Sequence, residues 1–363
     1  MSANKLKELE MISRAVGNSP DLVQGGGGNT SVKLDDDLMA VKASGCKLKD
    51  ITPSEGFVVV NYKNIREYFE SVDINEDRDY EKESGEYARA NIVPMEGIKP
   101  MRPSVEAGFH SVLKKYVIHT HPVYANIICC SKNGFGLAKE IFRSKEYGFI
   151  WIPYINPGFS LTLAIRKEIN EYIGNSKHFP QVIFMENHGL VVTADKASDC
   201  VELHEDVNGT IRGYFDLSEQ FPSVGIEGLD DNTFISKTGY LKEYFKDKDL
   251  SMSFFENTIL YPDQLVYLHG NISLNETGNK MNINTDTGEI LYKVGEKEAL
   301  TMEETLMGFV YVVNQVKKNH LELKTMNAEE TAFILNWESE KYRKSLLKDQ
   351  ITQMKYKSGQ KNL

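Results

Sequence analysis

The chain has 363 residues, 41% of them hydrophobic and 26% charged, an ordinary composition for a soluble globular protein with room for one large domain or two. Its formal net charge of −10 argues against a general nucleic-acid surface, and no apolar run approaches the roughly 20 residues that a bilayer span requires. The first residues lack the apolar core of a secretory signal, and Cys46, Cys129, Cys130 and Cys200 have neither the density nor the spacing of a disulfide framework or structural zinc cluster, so a reducing, cytoplasmic setting is expected.

Residues 4–17 carry apolar positions at Leu6, Leu9, Ile12 and Val16, the helical period. A glycine run, Gly25 to Gly28, leads into the alternating stretch Asn29-Thr30-Ser31-Val32-Lys33-Leu34, which predicts a strand, and residues 38–43 and 57–61 predict two more. Residues 72–100 are polar and aperiodic and read as a loop or insertion. A helix is predicted from Pro103 through about Lys115 with Ser104 as its N-cap. A strand then ends at His119-Thr120-His121, where Pro122 stops the ladder, and residues 123–130 read as helical. Residues 151–159 read as a Pro-punctuated strand and turn, 161–172 as a helix, and 181–185 and 190–193 as strands. Asp195 is the expected cap of a helix through Phe215.

The cluster Pro222, Gly225, Gly228 and Asp230-Asp231-Asn232 marks a boundary, giving domains 1–225 and 226–363. In the second, 264–268 reads as a strand, and 281–283 and 289–293 as a hairpin about Asp286-Thr287-Gly288. Two helices follow, with Thr301-Met-Glu-Glu304 and Asn327-Ala-Glu-Glu330 as capping boxes.

Because the side-chain period of a strand is two, His119 and His121 point to one face. With His188, set in the turn Asn187-His188-Gly189, they read as three neutral nitrogen ligands that leave a catalytic metal an open position. The competing reading is of satisfied core histidines; a metal-dependent hydrolase barrel would need eight strand–helix repeats that the chain lacks. Glu106 is either a helix-dipole charge or a fourth ligand and general base, and His110, one turn on, reads as packing or surface, with support of the site from behind as the alternative. The glycine run, with Ser44-Gly45 and Ser104, offers an anion nest as an alternative to a flexible turn; it lacks the Gly-Lys-Ser/Thr of a nucleotide loop. Lys42, Lys47 and Arg102 lie near these segments and read as solvated surface charges, with a supporting place at the anion nest as the alternative.

Taken in order, Gly28-Asn29-Thr30-Ser31, Ser44-Gly45, Pro103-Ser104-Val105-Glu106, His119-Thr120-His121-Pro122 and Asn187-His188-Gly189-Leu190 resemble the class II aldolase/adducin family over about residues 5–218. The stretches 152–159 and 261–267 are similar to its longer members, such as the aldolase portion of bifunctional rhamnulose-phosphate aldolase/dehydrogenases. The resemblance implies a three-layer α/β/α sandwich around a mostly antiparallel sheet, here followed by a smaller C-terminal α+β unit, and a homotetramer. It implies Zn2+, or another divalent ion such as Mn2+ or Co2+, on His119, His121 and His188, with Glu106 as acid/base. It implies Gly28, Asn29, Thr30, Ser44, Gly45 and Ser104 around a substrate phosphate. The implied reaction is cleavage of a ketose 1-phosphate to dihydroxyacetone phosphate and an aldehyde through a metal-stabilised enediolate. Epimerase, dehydratase, decarboxylase and adducin-like scaffold roles are its alternatives, and retention of all three histidines and Glu106 argues against the scaffold. Two positions depart from the fuculose-phosphate pattern: Val105 replaces a second serine, and Gly26 stands where a hydroxyl residue is usual. A proton-donating tyrosine would come from Tyr240, Tyr261 or Tyr267.

Overall fold

The β-branched and apolar runs assemble into one seven-stranded sheet. The computed structural model describes residues 2–337, and the sheet comprises β1 (Asn29–Lys33), β2 (Leu38–Lys42), β3 (Phe57–Asn61), β4 (Tyr116–Thr120), β5 (Phe149–Ile152), β6 (Val182–Met185) and β7 (Gly189–Ala194). Their order is β3-β2-β1-β4-β7-β6-β5. Every neighbouring pair is antiparallel except β5 and β6.

Eight helices flank this sheet: α1 (Ser2–Gly17), α2 (Tyr62–Ser71), α3 (Tyr80–Ala90), α4 (Ala107–Val112), α5 (Val123–Cys129), α6 (Gly134–Ile141), α7 (Phe159–Ser176) and α8 (Ala197–Tyr214). One layer is α1, α5 and α8, which pack on β1, β4, β6 and β7; the other is built from α2, α3, α4 and α7. The alternation of the strands explains both layers. Val117, Ile183, Met185 and Val191 join Phe109, Leu161 and Ile165 in one core, while the intervening Ile118, Val182, Phe184 and Val192 are buried on the other face. Burying each such side chain contributes roughly 1.5–3 kcal/mol, which is why a sheet apolar on both faces needs cover on both. The result is the three-layer α/β/α sandwich expected from the family resemblance.

Several local expectations are corrected. The 72–100 segment contains α3, capped by the Asp79 side chain. This helix is held by tertiary contacts: Tyr80 stacks on Phe159 at 5.0 Å, and Glu81 accepts from the backbone N–H groups of Phe159 and Ser160. It is polar overall and buries only Ala88, so it offers the sequence few apolar positions to read. Helix α4 starts at Ala107, so Glu106 rather than Ser104 occupies the N-cap position. Asp195 does not cap α8; its carboxylate pairs with Lys114 at 2.7 Å. Residues 264–268 belong to a helix, described below, in place of a strand.

The chain divides into two compact units between Ser218 and Glu219. The second contains β8 (Ile226–Asp230), β9 (Thr233–Ser236), α9 (Gly239–Phe245), α10 (Met252–Asn257), α11 (Pro262–Tyr267), β10 (Ile272–Leu274), β11 (Met281–Ile283), β12 (Ile290–Tyr292), α12 (Glu296–Lys318) and α13 (Ala328–Asn336). Its sheet runs β10-β11-β12-β9-β8, with the expected β11–β12 hairpin. Pro262 stands at the start of α11, where its missing N–H costs nothing, and every residue of that helix is buried. A short run buried on every side carries no period to tell helix from strand. Helix α12 begins at Glu296, ahead of the expected Thr301, which lies inside it; the Asn327–Glu330 capping box is present. No helix among the described residues is long and apolar enough to cross a membrane.

Candidate metal centre

Strand β4 delivers the first two histidines. His119 lies two residues after Val117 and so shares its face, meeting the Phe109 ring edge-on at 5.7 Å. In register, Asn29 of β1 pairs with His119 on one side and Val191 of β7 on the other. His121 follows just past the strand end. His188 arrives from the tight β6–β7 turn, where Asn187 takes a left-handed φ of 50° and the His188 N–H closes onto the Met185 carbonyl. Gly28, at φ +67°, passes so close to the His119 carbonyl that a Cβ would stand 2.6 Å from it.

The three imidazoles, all buried, present ligand atoms within 4.8 Å of one another. The Nε2 atoms of His119 and His121 are 3.2 Å apart. His119 Nδ1 lies 3.0 Å from the Leu190 carbonyl, an acceptor only, so Nδ1–H donates and the Nε2 lone pair faces the cluster. Glu106 closes the group: Oε2 is 3.5 Å from His119 Nε2 and Oε1 is 3.3 Å from His188 Nε2. Asn29 Nδ2 donates to Glu106 Oε2 at 2.6 Å.

Burial pushes the Glu106 carboxyl upward, but the electrostatic pull of His119, then of His188 and His121, outweighs it and holds the group well below the usual carboxylate range. His119 moves well down because burial disfavours its cation more than Glu106 favours it. A divalent cation needs an ionised carboxylate and neutral imidazoles, and when bound would itself supply the positive charge that keeps Glu106 ionised beside them. Glu106 Oε1 is buried without a hydrogen-bond partner, an orphaned acceptor facing the imidazoles. The residues present therefore fit a divalent ion, and three imidazoles with a carboxylate suit Zn2+, Mn2+ or Co2+.

The anion-site candidates divide. Ser104 Oγ lies 3.2 Å from Asn29 Nδ2 and accepts from the Glu106 N–H at 3.3 Å. The Ser44–Gly45 turn is drawn to the same place, because the Ser44 N–H donates to Arg102 and the Ser104 N–H to Lys42. Lys42 is no solvated surface charge: it is 3% exposed, and its Nζ donates to the Gly26 carbonyl at 3.1 Å, tying the glycine turn to β2. Lys47 is half-buried and Arg102 is exposed. The structure does not bring in the Thr30 side chain, which turns to the opposite face and bonds Ser13 at 2.7 Å. Asn29 meets the centre through Glu106. His110 is fully buried and joins Asn29 to Ser31; its spacing from Glu106 suggests nearness to that residue, but the link to β1 comes from the tertiary structure. Tyr240, Tyr261 and Tyr267 all lie in the second unit.

Fold and site together define a protein built round a buried three-histidine, one-carboxylate centre at one end of an α/β/α sandwich. The family model described as Class II Aldolase and Adducin N-terminal domain matches residues 7–214, and the chain belongs to that family. It is 31% identical over 206 residues to the uncharacterized oxidoreductase YuxG of Bacillus subtilis, covering 54% of this chain but only 27% of that protein, so it spans about a quarter of that relative's length. It is 24% identical over 209 residues to the 3-oxo-tetronate 4-phosphate decarboxylase of Haemophilus influenzae, covering 54% of this chain and 80% of that one. Among solved structures, the N-terminal class II aldolase domain of a conserved protein from Thermoplasma acidophilum matches with a TM-score of 0.47 and 25% identity, over 57% of this chain and 92% of that chain.

Proposed function

We propose that the chain is a divalent-metal-dependent carbon–carbon lyase that cleaves a ketose 1-phosphate to dihydroxyacetone phosphate and an aldehyde. The observation that carries this reading is the buried Glu106 carboxylate held between His119 and His188 and steadied by Asn29. His119, His121 and His188 would hold the ion, which when bound supplies Lewis acidity where negative charge develops on substrate oxygen. Glu106 manages the proton. As the carbon–carbon bond breaks, one substrate hydroxyl loses its proton and becomes the aldehyde carbonyl, and the other fragment gains a proton on carbon. Backbone N–H groups at Gly28 and Gly45, with the Ser104 and Ser44 hydroxyls and the Lys42 cation, would supply donors for the phosphate and keep the reacting atoms aligned.

Decarboxylation is the second reading, favoured by the match with the 3-oxo-tetronate 4-phosphate decarboxylase over 80% of its length. It breaks a bond to a carboxylate carbon and asks for the same charge stabilisation, so the same residues serve. Both readings are tested by incubating the Zn2+-, Mn2+- and Co2+-loaded chain with a panel of ketose 1-phosphates and with 3-oxo-tetronate 4-phosphate, assaying dihydroxyacetone phosphate and carbon dioxide. Release of dihydroxyacetone phosphate, lost in His119→Ala, supports the lyase. Carbon dioxide alone selects the second reading, and neither product from a metal-loaded chain overturns both.

A further inference from the structure

We propose that His110 is a positioning residue that holds Glu106 in its working orientation through the Asn29 side chain. This rests on the metal-centre reading above. The path is continuous and buried: Ser31 Oγ lies 2.7 Å from His110 Nδ1, His110 Nε2 meets Asn29 Oδ1, and Asn29 Nδ2 lies 2.6 Å from Glu106 Oε2. Ser31, His110 and Asn29 are all 3% exposed or less.

Hydrogen-bond chemistry fixes each direction. An ionised carboxylate only accepts, so the Asn29 amide must turn Nδ2 toward Glu106 and leave Oδ1 toward His110. Oδ1 only accepts, so His110 must carry its proton on Nε2. Its Nδ1 is then an acceptor and takes the Ser31 hydroxyl proton. The imidazole stacks on Phe109 at 4.7 Å and 20°, which fixes the ring plane. Phe109 also abuts His119, so His110 is built on the support of a candidate ligand. Without His110 on Oδ1, the amide keeps only its Nδ2 contacts with Glu106 and Ser104, and the donor that steadies Glu106 is less firmly oriented. Groups that orient metal-site residues from behind in this way typically change metal affinity by about 10–100-fold when removed.

The test uses Co2+ binding by the full chain, followed by its visible spectrum and by competition with a chelator, so that substrate is not needed. His110→Phe fills the ring's space and removes both hydrogen bonds; it should weaken Co2+ binding by about 10–100-fold and alter the spectrum. His110→Gln places an amide N–H where Nε2–H stood and should restore binding to within about threefold. In a Glu106→Gln background, His110→Phe should cost less than about threefold, because its effect passes through Glu106. Equal losses in both backgrounds, no loss in either, or failure of His110→Gln to rescue would each overturn the proposal. Should His110→Phe not fold, His110→Asn, which keeps a group only at the Nδ1 position, takes its place with the same expectations. A wild-type chain that binds no Co2+ would overturn the metal-centre reading and this inference with it, whereas normal wild-type binding with an unaffected variant overturns this inference alone.

Discussion

Replacing Gly189 by alanine probes how tightly the turn that presents His188 is locked to the strand that presents His119 and His121. A Cβ at Gly189 would lie 2.4 Å from the Thr120 carbonyl oxygen and 3.1 Å from His121 Cδ2. Real Cβ contacts essentially never fall below 3.0 Å, so the two backbones must separate by about 0.6 Å. No flexible side chain can absorb that movement, because Thr120 is paired with Leu190 in the β4–β7 ladder. Overpacking of a close-packed interior costs about 1–3 kcal/mol. In a unit of this size each kcal/mol lowers Tm by about 2–4 °C, so a loss of about 2–12 °C is expected. The shift also exceeds the roughly 0.5 Å within which a preorganised site keeps its geometry, so Zn2+ affinity should fall by about tenfold or more. Thermal unfolding of the full chain and Zn2+ competition with a chromophoric chelator measure both. A variant that melts within about 1 °C of the wild type and binds Zn2+ equally well would refute the argument that these backbones are locked together.

Other outcomes follow from the same geometry. His119→Ala removes a ligand and the lone pair that Leu190 orients, so the chain purified with Zn2+ should carry about one ion and the variant none, as metal analysis will show. Glu106→Gln keeps the shape of the side chain but not its charge or basicity, so metal should bind about 10–100-fold more weakly, and at saturating metal turnover of whichever substrate is found should fall by about 10²–10⁴-fold; unchanged turnover would remove Glu106 from the chemistry. Burial pushes His204 and His110 down to about 3 from an ordinary 6.5. The unfolded chain therefore binds more protons below pH 6.5, and stability that is complete above that pH is lost as pH falls toward 3. At pH 5 each histidine should cost roughly 2 kcal/mol, read as a lower urea midpoint than at pH 7.5; equal midpoints would show that these imidazoles are not held neutral.

Local sequence was most informative where chemistry and period coincide. The spacing of His119 and His121 sets both on one strand face whatever the fold does with that strand, and Asn187-His188-Gly189 is a turn by composition. It was least informative where a segment draws its structure from distant partners. Helix α3 owes its place to Phe159 and Ser160, and α11 is buried on every side and carries no period. Thr30 and Asn29 are adjacent in sequence and look equally suited to a phosphate, yet strand alternation sends Thr30 to Ser13 and Asn29 to Glu106.

By itself, then, the sequence determined the candidate ligand types, the strand end and turn that carry them and the family pattern in which they stand, because these depend on residue identity and on a period of two. Only the tertiary structure decided that Glu106 lies between His119 and His188, that Lys42 is buried beside the glycine turn, and that His110 reaches Glu106 through Asn29. Those relations join residues from about a dozen to some eighty positions apart. They depend on the register of β1 against β4 and on where α4 begins, which no local propensity encodes.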